Sequence, residues 1–181
     1  VILVGDVMLD RYHHGFANNL NSTAPVPVLK IFRTEENAGA AAHIAQSLSS
    51  LGISVSLHAV VGSDREGIAL TNSLEDLGVE TSGLEAIENH STLVKTRFFA
   101  SRESLLDRPQ ILLQADRGDS EGIPESVSDR ICTRALDAMS GSIALVISDY
   151  DKGVITRETA RKLIEEANHL KIPVIMDPKL T

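Results

Sequence analysis

The sequence predicts an α/β fold with a mostly parallel central sheet and a small second sheet beside it. Short apolar runs at 1–4, 55–61, 143–147 and 173–176 pass directly into Gly, Ser or Asp. That is the pattern of strands buried on both faces, with ligands received just beyond their carboxyl ends. Helical patterns closed by Gly52 and Gly78 lie between the early runs, and strand–helix alternation is the layout of a parallel sheet. From 91 to 116 the pattern changes to residue-by-residue alternation, which marks a half-exposed sheet.

The first run, Val1 to Val4, leads into Gly5-Asp6 and then a second carboxylate at Asp10. Gly5 permits a sharp turn, so Asp6 and Asp10 are candidates for the mouth of a crevice. The alternative is a turn cap for Asp6 and a solvated face for Asp10. Residues 12–30 read as irregular, and Pro25 and Pro27 allow at most an edge strand over 26–32. His13 and His14 are neighbours, so on a strand they point to opposite sides and make a poor metal pair. Glu35 to Gly39 leads into a helix over 40–51 with an apolar stripe at Ile44, Leu48 and Leu51. Gly39 brings backbone N–H groups toward the adjacent crevice, or simply lets helix and sheet pack closely. His43, in the first turns, is a packed residue or a ligand.

A strand over 55–61 is followed by a helix over 65–77, capped by Ser63 or Asp64 and stopped by Gly78, then a short strand over 79–84. Two alternating strands, 91–100 and 110–116, flank a charged connector over 101–109. Lys95 and Arg97 share one strand face; two cations there fit a phosphate, or a solvated polar surface. A helix over 124–139 has Pro at its start. The strand over 143–147 runs into Ser-Asp-Tyr-Asp-Lys-Gly153, a second set of carboxylates where a crevice belongs. The helix over 156–170 starts close to a capping box, with its acid one place early. The last strand, 173–176, ends in Asp177-Pro-Lys179.

The 181 residues suffice for one domain with a real core, and they are 43% hydrophobic with a net charge of -8. That acidity argues against a nucleic-acid backbone partner. The single Cys132 allows no internal disulfide and fits a reducing, cytoplasmic setting. No apolar run reaches the length of about 18 residues that spans a bilayer, so no membrane role is expected. There is no Walker-A pattern, no Gly-x-Gly-x-x-Gly and no zinc spacing of His or Cys. The chain begins and ends on strand-like runs, which reads as a piece of a longer protein.

Five segments, in order, carry a resemblance: Val-Gly-Asp-Val-Met-Leu-Asp-Arg-Tyr12, Ala-Pro-Val-Pro-Val28, Ser-Leu-Gly52, Ile-Ser-Asp-Tyr-Asp-Lys-Gly153 and Ile-Met-Asp-Pro-Lys179. Together they resemble the ribokinase-like (PfkB) carbohydrate kinases, and within them the heptose 7-phosphate kinase branch of the ADP-heptose synthases. The resemblance implies a three-layer ribokinase-like fold with a β lid built from strands near 12–32 and 92–116. It implies that residues 1–181 are the N-terminal portion of one kinase domain, with the nucleotide-binding part beyond. It implies ATP with magnesium, phosphoryl transfer to a hydroxyl of a sugar or sugar phosphate, and a homodimer formed through the lid.

Position by position, Asp6 and Asp10 match the family's sugar-contact segment, and Gly39 and His43 its Gly-Gly-x-x-Asn segment. Lys95 and Arg97 match the lid's Lys-x-Arg, which meets the sugar phosphate. Asp149, Lys152 and Gly153, with Asp177 and Lys179, match the segments at the phosphate-transfer site. Ala40 and His43 stand where that branch carries its second Gly and its Asn. Asn18 to Thr23 replaces Ser-Arg-Ile-Ser-Pro-Glu. The family's general base lies in a Gly-Ala-Gly-Asp segment that these residues do not contain, so the chain alone is expected to be inactive. A kinase-like sugar-binding or dimerisation module without catalysis is the second reading, motivated by those replacements.

Overall fold

The computed structural model describes residues 1–101, 109–118 and 122–179. Two sheets organise them. The first is wholly parallel and runs in the order β5-β4-β1-β8-β9, from Leu84–Ile87, Ser56–Gly62, Ile2–Gly5, Leu145–Ser148 and Val174–Asp177. From β1 the chain builds outward first to β4 and β5, then on the other side to β8 and β9. The order therefore reverses between β1 and β8, and a crevice opens beyond their carboxyl ends.

Alternation along β1 divides the core between two faces. Leu3 joins the buried cluster of α1 (Ala41–Ser50) and α2 (Arg65–Asp76), including Ala41, Ala42, Ala45, Leu70 and Leu74. Ile2 and Val4 join that of α3 (Glu125–Ala138) and α4 (Arg157–His169), including Ile131, Ala135 and Leu163. Helices thus cover both faces, giving the three layers expected. The caps are local chemistry. Asp64 accepts from the Gly67 N–H at 2.8 Å at the start of α2. Thr156 and Thr159 form the capping box of α4, so a hydroxyl fills the place expected of an acid.

The second sheet has the order β3-β2-β6-β7, from Pro27–Ala40, Val7–Leu20, Val94–Ser101 and Gln110–Arg117. It departs most from expectation. Residues 12–20 are not irregular, and 35–40 do not lead loosely into a helix: both belong to a long antiparallel hairpin of β2 and β3. Their side chains are mixed and polar because the sheet is packed against the core only at its base, where Leu9, Ala38 and Val94 are buried. Pro27 opens β3 on the sheet's edge, where no ladder donor is missed. The strand expected over 79–84 is displaced to β5, because the Leu84 N–H closes a turn onto the Thr81 carbonyl at 2.8 Å before pairing begins. Most of the expected charged connector, 102–108, lies outside the described residues.

Candidate functional site

The switch point between β1 and β8 holds a crevice of about 350 Å³, lined by Met8, Lys95, Asp116, Arg117, Tyr150, Lys152 and Lys179 among others. Three of the expected site residues meet there from three distant segments: Lys95 from β6, Lys152 from the loop after β8, and Lys179 from the end of β9. They set three lysines against one lining carboxylate, Asp116; Arg117 also lines the crevice, but its charge is taken up by Asp64 and Glu66. Such a cluster suits a multiply charged anion.

A second group stands beside the first on the same face of the side sheet. Asp10 is the register partner of Lys95, and Gly39 lies opposite Met8. Asp10 accepts a 2.7 Å hydrogen bond from Arg97, which also reaches the Tyr12 hydroxyl at 3.3 Å. The Asp10 bond raises the Arg97 guanidinium above its ordinary range. A Cβ on Gly39 would come within 2.5 Å of the Asp10 carboxylate, so the bare backbone there is what leaves room for the pair.

Four expected residues are placed otherwise. Asp6 does not stand at the crevice mouth. It is 1% exposed, and its carboxylate accepts the backbone N–H groups of Tyr150 at 2.8 Å, Lys152 at 3.2 Å and Val154 at 3.3 Å. The turn-capping alternative describes it better. His43 is exposed on α1 and is not among the residues lining the crevice; the helix places it one turn along, outward from Ala42 and Ala45. Asp149 accepts the Asp151 N–H at 2.8 Å, and Gly153 supplies a φ of 102°; both shape the loop and neither lines the crevice.

Asp116, Arg117 and Tyr150 also line the crevice, although nothing in their own segments marks them as site residues. Tyr150 lies inside a quoted segment, but Asp116 becomes visible only once β7 is registered on β6, where it faces Lys95. Arg117 is held by Asp64 at 2.8 Å and Glu66 at 2.9 Å. Glu66 also receives Arg11 at 3.2 Å, so the start of α2 ties two strands of the side sheet to the central domain. Among the described residues no group of three His, Cys, Asp or Glu side chains is placed to hold a metal ion.

The fold and the crevice together define the class: a ribokinase-like α/β protein with a β lid over a cationic switch-point site. The family model "pfkB family carbohydrate kinase" matches residues 1–181, and the chain belongs to that family. It is 36% identical over 181 residues to the bifunctional protein HldE of Actinobacillus pleuropneumoniae serotype 5b, covering 100% of this chain and 36% of that protein. Among solved structures, phosphofructokinase-2 from Escherichia coli superposes with a TM-score of 0.68 at 19% identity, covering 98% of this chain and 54% of the other. Ribokinase from Arabidopsis thaliana, complexed with ribose and ATP, superposes at 0.60 with 15% identity, covering 97% and 52%. The chain thus spans about a third of its curated relative and about half of the solved kinases.

Proposed function

We propose that the protein carrying this chain is an ATP-dependent sugar kinase that phosphorylates a heptose 7-phosphate or related sugar phosphate at a hydroxyl, as a precursor step of ADP-heptose synthesis. The observation that carries the reading is the convergence of Lys95, Lys152 and Lys179 on one crevice at the switch point. An anion-binding set drawn from the lid and from two strand ends fits a ligand that carries phosphate and is covered by the lid.

On this reading Lys152 and Lys179 face the transferred phosphate supplied by ATP, and Lys95 the sugar phosphate. Asp10 and Arg97 hold the sugar beside them, with Gly39 leaving room for the pair. Magnesium would arrive on the nucleotide phosphates and would neutralise part of their charge. The general base belongs to a segment outside these residues, and the isolated chain does not turn over. A cytoplasmic setting, where sugar phosphates and ATP meet, is part of the same reading. So is a homodimer through the lid: β3 and β7 are the sheet's two edges and expose Val28, Ile31, Phe32, Ile111 and Leu113.

One observation favours the second reading, a kinase-like sugar-binding or dimerisation module. Ala40 sits at φ 54° and ψ -132°, a backbone shape suited to the Gly that the resembling branch carries there. The deciding experiment is ADP release by the intact protein with ATP and magnesium across heptose 7-phosphate, ribose, fructose and fructose phosphates. Turnover is expected on heptose 7-phosphate. Turnover only on another sugar moves the substrate, and silence from folded protein favours the module.

A further inference from the structure

We infer that Asp6 is a positioning residue, whose buried carboxylate shapes the 149–154 loop and thereby aims Lys152 into the crevice. The identity of the anion met there rests on the kinase reading; the geometry does not.

The loop's backbone donors can be followed one by one. Asp149 N–H donates to the Asp177 carbonyl at 3.0 Å, and Asp151 N–H to the Asp149 side chain at 2.8 Å. The intervening donors at 150, 152 and 154 all converge on Asp6. The chain reaches this arrangement by bending between them, with φ 58° at Asp151 and φ 102° at Gly153. Alternate N–H groups turned to one point make an anion-binding concavity, related to the nests that successive N–H groups form. Here the concavity holds the protein's own carboxylate. Tyr150 and Lys152, two of the three residues whose N–H groups Asp6 takes, are also the loop residues that line the crevice. Fixing their backbone fixes the root of both side chains. The ligand's anion is then left to the lysine side chains, with the amides of 149–152 and 154 already taken within the protein.

Burial raises the Asp6 carboxyl above its ordinary range, against the three N–H groups that favour its charge. Asparagine at this position keeps one acceptor oxygen and presents an NH2 to at least one backbone donor. That leaves a buried N–H without a partner and frees part of the loop.

The test uses the intact protein and two readouts. The first is hydrogen exchange at the Tyr150, Lys152 and Val154 amides: slow in the wild type, about tenfold faster or more in Asp6→Asn. The second is tripolyphosphate affinity by calorimetry across wild type, Asp6→Asn, Lys152→Ala and the double variant. Asp6→Asn is expected to weaken binding about tenfold when Lys152 is present, and less than about twofold when Lys152 is already Ala. Equal loss in both backgrounds is what a merely structural role gives, and it overturns the inference. So does undetectable tripolyphosphate binding by the wild type. Wild-type amides exchanging at open-loop rates overturn it without any variant, which covers an Asp6→Asn protein that does not fold. If both readouts come out as expected but no sugar is turned over, the kinase reading falls and the role of Asp6 stands.

Discussion

Arg97 donates a 2.7 Å hydrogen bond to Asp10 from 87 residues away, with both side chains about four-fifths buried on the crevice side of the lid sheet. The pair is charge-assisted, and Arg97 also lies over the Tyr12 ring at 5.4 Å. Arg97→Ala removes the guanidinium and leaves Asp10 partly buried and unpaired. On the proposed reading kcat/KM for the sugar substrate should fall by about 10- to 100-fold, the equivalent of one charge-assisted bond. Arg97→Lys should recover only part of that, because the ammonium keeps the charge for Asp10 but loses the planar guanidinium that lies over the Tyr12 ring. Steady-state ADP release checks it; an unchanged kcat/KM in Arg97→Ala would take the pair out of the site.

Adjacent residues at the end of β3 should respond in opposite directions. Gly39→Ala would put a Cβ 2.5 Å from the Asp10 carboxylate and 2.8 Å from Met8, so the lid must shift, at a cost of about 1–3 kcal/mol. Ala40→Gly relieves a positive-φ backbone, offset in part by the greater freedom of glycine in the unfolded chain, for a net gain of about 1 kcal/mol. Urea unfolding of the two variants decides both. Stabilisation by Gly39→Ala, or a loss from Ala40→Gly, contradicts the geometry.

His58 makes stability depend on pH. It lies buried in β4 with Nε2 at 3.1 Å from the Ser56 hydroxyl, and burial first, then nearby Arg134, lowers its pKa from 6.5 to about 4. A histidine kept neutral in the fold binds its proton more readily when unfolded. Its stabilising contribution is therefore intact above pH 6.5 and is lost as pH falls from there toward 4. The loss attributable to this group is on the order of 3 kcal/mol. Unfolding free energies of wild type and His58→Asn at pH 7 and pH 4.5 isolate it from the carboxylates. The wild type should lose more on acidification; parallel losses would show that His58 does not contribute.

The exposed edges of the lid predict association. Phe32 is 61% exposed beside Phe16, and Ile111 and Leu113 are exposed on the opposite edge. If a second copy covers them, light scattering gives twice the chain mass for the intact protein. Phe32→Asp combined with Leu113→Asp then gives the monomer with the helical content unchanged. A monomeric wild type at tens of micromolar refutes the lid dimer.

The parts of this fold that sequence made legible are those governed by one segment at a time. Apolar runs passing into Gly, Ser or Asp place β1, β4, β8 and β9 within two residues, and Ser63-Asp64 marks the start of α2. Lys95, Lys152 and Lys179 stand out within their own segments, and they share the crevice. What stayed hidden depends on pairing across the chain. The β2–β3 hairpin has no core face over most of its length, so its strands carry no hydrophobic period to read. For Asp6 the sequence leaves a crevice carboxylate and a turn cap equally open, because the three donors that decide for the cap lie 144 to 148 residues away. Asp116 needed the register of β7 before it could be set opposite Lys95.

Glu66 carries the last prediction, because it is where lid and central domain are joined. Its side chain is 12% exposed and takes Arg11 from β2 and Arg117 from β7. Each arginine has a second partner, Glu36 at 2.7 Å and Asp64 at 2.8 Å, so losing Glu66 leaves neither cation bare. Glu66→Ala should therefore cost only about 1–2 kcal/mol in stability, yet loosen the lid. Asp64→Ala should cost about 1 kcal/mol more, since it also uncaps α2. Because Arg117 lines the crevice, a looser lid should show as faster hydrogen exchange in β2 and β7 and as weaker tripolyphosphate binding, with β1, β4 and β8 unaffected. If exchange rises equally in both sheets, Glu66 supports the domain as a whole, and the joint between lid and domain lies elsewhere.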